Sequence, residues 1–379
     1  MKSMLSTVLT ILPSITAGFS IPTPPGKYNI TMSSGVLIDH SRGDRALMVS
    51  VFQPAECRSV VDVPYMPNAT AAYQGAYIGK LFKLDFDFSP LLLQARLPVC
   101  SVSTPSKDQI NDCSPVEDDL PVIILSSGLS SPRGLFHILA SALASEGFTV
   151  FTADHPGETN VITYPDGHSV TFVGPDPVSL DIIAPYIQPR VLDTRLILDQ
   201  LSNATAMGEL FPQRGPRSFP TDRIAMVGHS LGGVTAVHAA AQDSRIRAVV
   251  DWDQQLFGPA LSPNFTTPVM FFNRPNSTKL NWLDAWPQIQ GPMFWAEVAN
   301  TTHQTFFDPP MLLRAAGEDL ASFADFAGTI DAEHMLRMQV AYALEWVKGA
   351  FAGKIGGPIL EGQEQDKFPE VTVIERRGF

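Results

Sequence analysis

Ile224-Ala225-Met226-Val227, then Gly228-His229-Ser230-Leu231-Gly232, then Gly233 and the small-residue run to Ala241, decide how this chain is read. Four apolar residues in a row make a buried strand, and the stretch from Gly233 to Ala241 makes a helix. Between them a Gly-x-Ser-x-Gly turn places a serine on a sharp strand-to-helix corner. Backbone angles at such a corner are strained, so the positions two before and two after the serine must be almost free of side chain. The corner lifts the Ser230 hydroxyl clear of the sheet and aims the next helix N-terminus at any anion formed there. In that context Ser230 is expected to be a nucleophile rather than part of a buried glycine turn.

Working outward, the same strand-then-helix rhythm recurs. Pro121-Val122-Ile123-Ile124-Leu125 reads as a strand, Gly134 to Glu146 as a helix closed by Gly147, and Phe148 to Ala153 as the next strand. Arg190 to Leu201 reads as a helix, Arg247 to Val250 and Val269 to Phe272 as strands, and Met335 to Val347 as a terminal helix. Ahead of these, Leu37 to Asp39 and Leu47 to Phe52 suggest a hairpin. Short, fully apolar strands alternating with helices imply an α/β class with a mostly parallel sheet covered on both faces. Residues 21–355 are expected to form one domain, with a loop-rich insertion at 60–118, a cap-like loop at 273–300 and a C-terminal tail at 356–379.

A neutral serine hydroxyl needs a base, and the base needs an orienting carboxylate. On such a sheet the chain order is Ser, acid, His. Two histidines follow residue 250, His303 and His334. His334 falls at the start of the terminal helix, whereas His303 lies in a loop between apolar stretches, so His303 is the expected base. The strand ending at Val250 runs into Asp251-Trp252-Asp253, and a carboxylate at a strand's C-terminal edge points into the crevice. Asp253, further out, is preferred, with Asp251 as the alternative, since period-two spacing does not separate them. For the oxyanion, Leu231 supplies one backbone N–H, and the loop Ser127-Gly128-Leu129 offers a second at Leu129.

The 379 residues are 45% hydrophobic and 17% charged, which supplies a sizeable core and excludes wholesale disorder. With 26 basic against 38 acidic side chains, net charge −12, nucleic acid is not an expected partner. Met1-Lys2-Ser3, an apolar run from Met4 to about Ala17 and small residues Gly18 and Ser20 read as a signal peptide ending near residue 20, and hence secretion. No stretch is expected to span a membrane. Asn29, Asn68, Asn203, Asn264, Asn276 and Asn300 head glycosylation sequons. Of three cysteines, Cys57 with Cys100 is the preferred disulfide over Cys100 with Cys113. There is no Cys-x-x-Cys or Cys/His cluster, and neither a metal nor a cofactor is expected.

Taken together, Gly228-His229-Ser230-Leu231-Gly232-Gly233, Asp253 twenty-three positions on, and His303-Gln304 ahead of Phe306 resemble the plasma-type platelet-activating-factor acetylhydrolases. These are the calcium-independent, lipoprotein-associated phospholipase A2 branch of the α/β-hydrolases. Ser127-Gly128-Leu129, Gly147-Phe148, Asp154-His155 and Tyr65-Met66-Pro67 fit as well, so the likeness runs over roughly residues 26–350. It implies an α/β-hydrolase fold, a Ser230–Asp253–His303 triad and hydrolysis of short sn-2 acyl esters of phospholipids. It also selects Asp253 over Asp251. Relatives carry His-Gly-Leu where this chain has Ser127-Gly128-Leu129, so the support of that loop is expected to differ. Trp282, Trp286, Phe294 and Trp295 offer either a lipid-facing patch or packing beneath a loop. Esters other than phospholipids are the alternative substrates, and a non-catalytic binding protein is the remaining reading.

Overall fold

The computed structural model describes residues 18–101, 113–116, 119–176, 178–212, 215–261, 264–277 and 286–379. Residues 1–17, the bulk of the expected leader, lie outside that set. Phe19–Ser20 pair in parallel with Ala95–Arg96.

Ten strands form the main sheet: β1 (Asn29–Asp39), β2 (Arg45–Cys57), β3 (Cys113–Pro115), β4 (Val122–Ser126), β5 (Thr149–Ala153), β6 (Ile224–His229), β7 (Ile246–Trp252), β8 (Val269–Asn273), β9 (Met293–Val298) and β10 (Val371–Arg377). Their order is β10-β9-β8-β7-β6-β4-β5-β2-β1, with β3 on β2. From β5 to β9 every neighbour is parallel, while β1, β2 and β10 join antiparallel. The chain moves one way from β4 to β5 and the other way from β6 to β7. The crevice beyond the carboxyl ends of β4 and β6 is therefore the switch point where α/β sheets place their sites.

Period-two alternation fills both faces. On β6, Ala225 and Val227 face one core with helices α2 (His137–Ser145) and α5 (Ala332–Phe351), while Ile224 and Met226 face the other with α3 (Ile187–Leu201) and α4 (Leu231–Gln242). All six β6 residues are buried, which explains why the strand carries no polar alternation.

Three regions differ from the sequence reading. The insertion expected to be loop-rich forms a strand at Val60–Pro64, helix α1 (Asn68–Leu81), a short helix Ser89–Gln94 and a strand Ala95–Cys100. Helix α1 is masked in the sequence because its buried face is small: a Cβ on Gly75 would fall 2.1 Å from the Ser89 backbone nitrogen. The tail after residue 355 contributes β10, an edge strand whose polar outer face hid it. The expected cap-like loop ends in β9, and there Phe294 and Trp295 are buried between β8 and β10. They form no lipid-facing patch, because a strand inside a covered sheet has both faces filled. Trp282 and the side chain of Trp286 lie outside the described residues. Cys57 is disulfide-bonded to Cys100, Cα–Cα 5.8 Å, tying β2 to the insertion.

Candidate active site

Ser230 follows the last residue of β6 with φ 56° and ψ −128°, a conformation that a non-glycine residue keeps only when its surroundings enforce it. The glycines around it are required by contact. A Cβ on Gly228 would lie 2.2 Å from the Gly232 carbonyl, and one on Gly232 would lie 2.1 Å from the Ser126 carbonyl oxygen. A Cβ on Gly233 would lie 2.1 Å from the Asp251 carboxyl. The corner thus packs backbone on backbone, and Leu231 opens α4 where the N–H groups have no intrahelical acceptor.

Of the two candidate acids the structure joins Asp253 to His303: Nδ1 of the imidazole lies 2.5 Å from Oδ2. Asp253 sits just past β7 at φ 59°, which turns its carboxylate away from the strand's alternation and toward the loop. The Arg274 backbone N–H donates to Oδ1 at 2.7 Å, and its guanidinium pairs with Oδ2. Burial pushes the Asp253 carboxyl up, but the bond from His303 and the charges of His303 and Arg274 outweigh it and hold it below the ordinary carboxylate range. Asp251 is fully buried under α4, with the Gln254 backbone N–H only a minor counter to that burial. Burial, with the Asp253 charge added, drives its carboxyl well above the usual range.

His303 begins a 3₁₀ turn, His303–Phe306, fixed by a reciprocal cap between Thr302 and Thr305. Its ring and Ser230 line the same cavity. His334 is elsewhere, donating to Glu370 at 3.0 Å. His229, inside the serine pentapeptide, carries no role in the sequence reading beyond its place in the motif. Its Nε2 donates to the His303 backbone carbonyl at 2.9 Å, and burial together with the His303 charge lowers its pKa to about 3. The His229 imidazole thus bolts the His303 loop to the serine's strand. Arg274 was also missed, since one arginine in a loop carries no pattern.

The loop after β4 lies over the serine: a Cβ on Gly128 would be 3.4 Å from the Ser230 Cβ. The Leu129 N–H donates to no group among the described residues. The Asp154 carboxylate behind the loop accepts the Arg133 backbone N–H at 2.6 Å and pairs with the Arg133 guanidinium. From the insertion, the Tyr65 hydroxyl donates to Asp308 at 2.6 Å, holding α1 beside the loop that follows His303.

The cavity measures about 320 Å³ and is walled by Tyr77, Ile78 and Phe82 of α1 and its end, with Leu129, Pro175 and Phe307. Among the described residues its lining includes no Asp, Glu, Lys or Arg. No group of three or more His, Cys, Asp or Glu among the described residues could hold a metal ion.

A strained serine at the end of a parallel strand, a hydrogen-bonded Asp–His pair and a loop across the switch point define a known architecture. Residues 123–371 match the model of the alpha/beta hydrolase family, close to two thirds of the chain. The chain belongs to the alpha/beta hydrolase family. Residues 15–171 match the model of platelet-activating factor acetylhydrolase, isoform II. Over 96% of its length this hydrolase is 27% identical to a probable 1-alkyl-2-acetylglycerophosphocholine esterase of Arthroderma benhamiae, covering 96% of that chain. It is 22% identical to the platelet-activating factor acetylhydrolase of Cavia porcellus over 93% of this chain and 84% of that one. A ferulic acid esterase from Streptomyces cinnamoneus shares its fold, with a TM-score of 0.73 and 22% identity over 95% of this chain and 100% of that chain.

Proposed function

We propose that this serine ester hydrolase releases short acyl groups from the sn-2 position of a phospholipid through Ser230, His303 and Asp253. The observation that carries the reading is the Asp253–His303 hydrogen bond of 2.5 Å beside a serine held at φ 56° on an apolar cavity. Asp253 holds the imbalance of charge and the Nδ1–H tautomer, so Nε2 is free to take the Ser230 proton as Oγ attacks the ester carbonyl. The tetrahedral oxyanion is met by the backbone N–H groups of Leu129 and Leu231. Collapse expels the alcohol, which receives the proton from His303; water then attacks the acyl-enzyme along the same path in reverse. No step calls for a metal.

Substrate class follows from the cavity and from the relatives' names. An uncharged, largely apolar pocket takes the acyl group and leaves a charged headgroup in solvent. At its mouth Leu81 and Val178 are 51% and 60% exposed, and beside them along the chain Val173, 78% exposed, Leu180 and Ile182 extend the apolar surface, which supports docking on a lipid surface. The same uncharged lining suits small neutral esters, the second reading. Secretion is supported by the disulfide and by the exposure of all six sequon asparagines, which are the proposed glycan sites. Among the described residues no helix is long and apolar enough to cross a membrane.

The test is turnover of p-nitrophenyl acetate and of 2-acyl phosphatidylcholines of increasing chain length. Ser230→Ala is expected to abolish both while the protein stays folded; retained turnover overturns the reading. Preference for short sn-2 chains over neutral esters selects the phospholipid substrate.

A further inference from the structure

Arg190 lies in the first turn of α3 and is fully buried, with one buried carboxylate, Glu158, as its counter-charge. Such an ion costs several kcal/mol to desolvate unless each donor is used. Its remaining donors go to one place, the loop after β4. Nη1 donates to the Ser127 carbonyl at 2.5 Å and to the Ser126 hydroxyl at 3.4 Å, and Nη2 donates to the Gly128 carbonyl at 3.1 Å. The Gly128 carbonyl also accepts the Ser131 N–H at 3.2 Å, closing the loop's turn.

The consequence lies in peptide geometry. The Gly128 carbonyl and the Leu129 N–H belong to one planar trans unit and point in opposite directions. A guanidinium gripping the carbonyl from behind therefore fixes the heading of the N–H in front. It also polarises the amide, so the N–H becomes a stronger donor, and it sets a cation behind the position where negative charge develops. Two parallel donors on two successive carbonyls fix the plane as well as the position, which an ammonium cannot do.

We infer that Arg190, braced by Glu158, is the positioning residue that sets the oxyanion hole by orienting the Gly128–Leu129 peptide. This rests on the reading of Leu129 as an oxyanion donor. It acts through the backbone and does not touch the substrate.

The test measures kcat and KM for p-nitrophenyl acetate, and Ki for a trifluoromethyl ketone, whose adduct with the serine carries the oxyanion. Arg190→Gln, Arg190→Lys and Glu158→Gln are compared with the native chain. Arg190→Gln is expected to lower kcat about 100-fold with KM within threefold, and to raise Ki by a similar factor. Arg190→Lys recovers part of both. Glu158→Gln, which keeps the guanidinium but loosens its brace, lowers kcat about tenfold. Should Arg190→Gln not fold, the other two decide. If kcat and Ki of the folded variants stay within twofold of native, or the loss falls entirely in KM, the inference is overturned. An inactive Ser230→Ala beside fully active Arg190 variants sinks this inference alone; an active Ser230→Ala sinks the hydrolytic reading beneath it.

Discussion

Asp251 and Asp253 stand two residues apart at the end of one strand, yet burial raises the carboxyl of the first well above the usual range while His303 and Arg274 hold the second below it. Asp251 is enclosed beneath α4, whereas Asp253 turns at φ 59° onto His303 and Arg274. One positive φ angle separates a buried group that the proposed chemistry leaves unused from the proposed triad acid.

Asp253→Asn is expected to lower kcat on p-nitrophenyl acetate by about 10³–10⁴-fold, because an amide neither fixes the tautomer nor balances the imidazolium. Asp251→Asn should leave kcat within a few-fold. Steady-state kinetics on the two variants check this, and a larger loss at residue 251 would reverse the assignment.

The same pair predicts a pH dependence of stability. Asp251 has a folded-state pKa raised above its unfolded value of about 3.8, so the unfolded state loses its proton first. Its contribution is unchanged below about pH 4 and erodes as pH rises from there toward the folded pKa. Asp251→Asn cannot ionise, so it should be within about 1 kcal/mol of native stability at pH 4 and gain on it by pH 8. Denaturant unfolding at both pH values gives the comparison; equal differences at the two would refute a raised Asp251 pKa in the folded state.

Cys57 and Cys100 close a segment with a sequence separation of 43 residues. Cys57→Ser should reduce unfolding free energy by about 2–4 kcal/mol, while kcat at 25 °C changes little because neither cysteine lines the cavity. Urea midpoints with and without reductant are the measurement.

The apolar rim gives a split by substrate form. Val173→Asp with Ile182→Asp, both exposed and outside the cavity lining, should lower the rate on phosphatidylcholine vesicles at least about tenfold, since desolvating two carboxylates at a lipid surface is costly. Turnover of dissolved p-nitrophenyl acetate should hold within twofold. An equal fall on both substrates would place the effect in the cavity rather than at the surface.

The apolar runs and the Gly-x-Ser-x-Gly corner made the parallel sheet, its flanking helices and the position of Ser230 legible, because fully buried strands and strained corners each restrict residue type. His303 was legible by chain order and its loop setting. Helix α1 escaped notice because Gly75 and Ala71 fill its buried face with little hydropathy, and β10 because an edge strand tolerates polar residues.

By itself, then, the sequence determined the α/β framework and a serine on its switch point, since local periodicity and steric demand are written residue by residue. Only the tertiary structure decided which aspartate meets the imidazole, that His229 fastens the His303 loop, that Arg190 holds the Ser127 and Gly128 carbonyls and that Arg274 pairs with Asp253. Those are pairings across 21 to 74 positions of chain, and the direction of one side chain toward a distant partner follows from how the strands and helices pack.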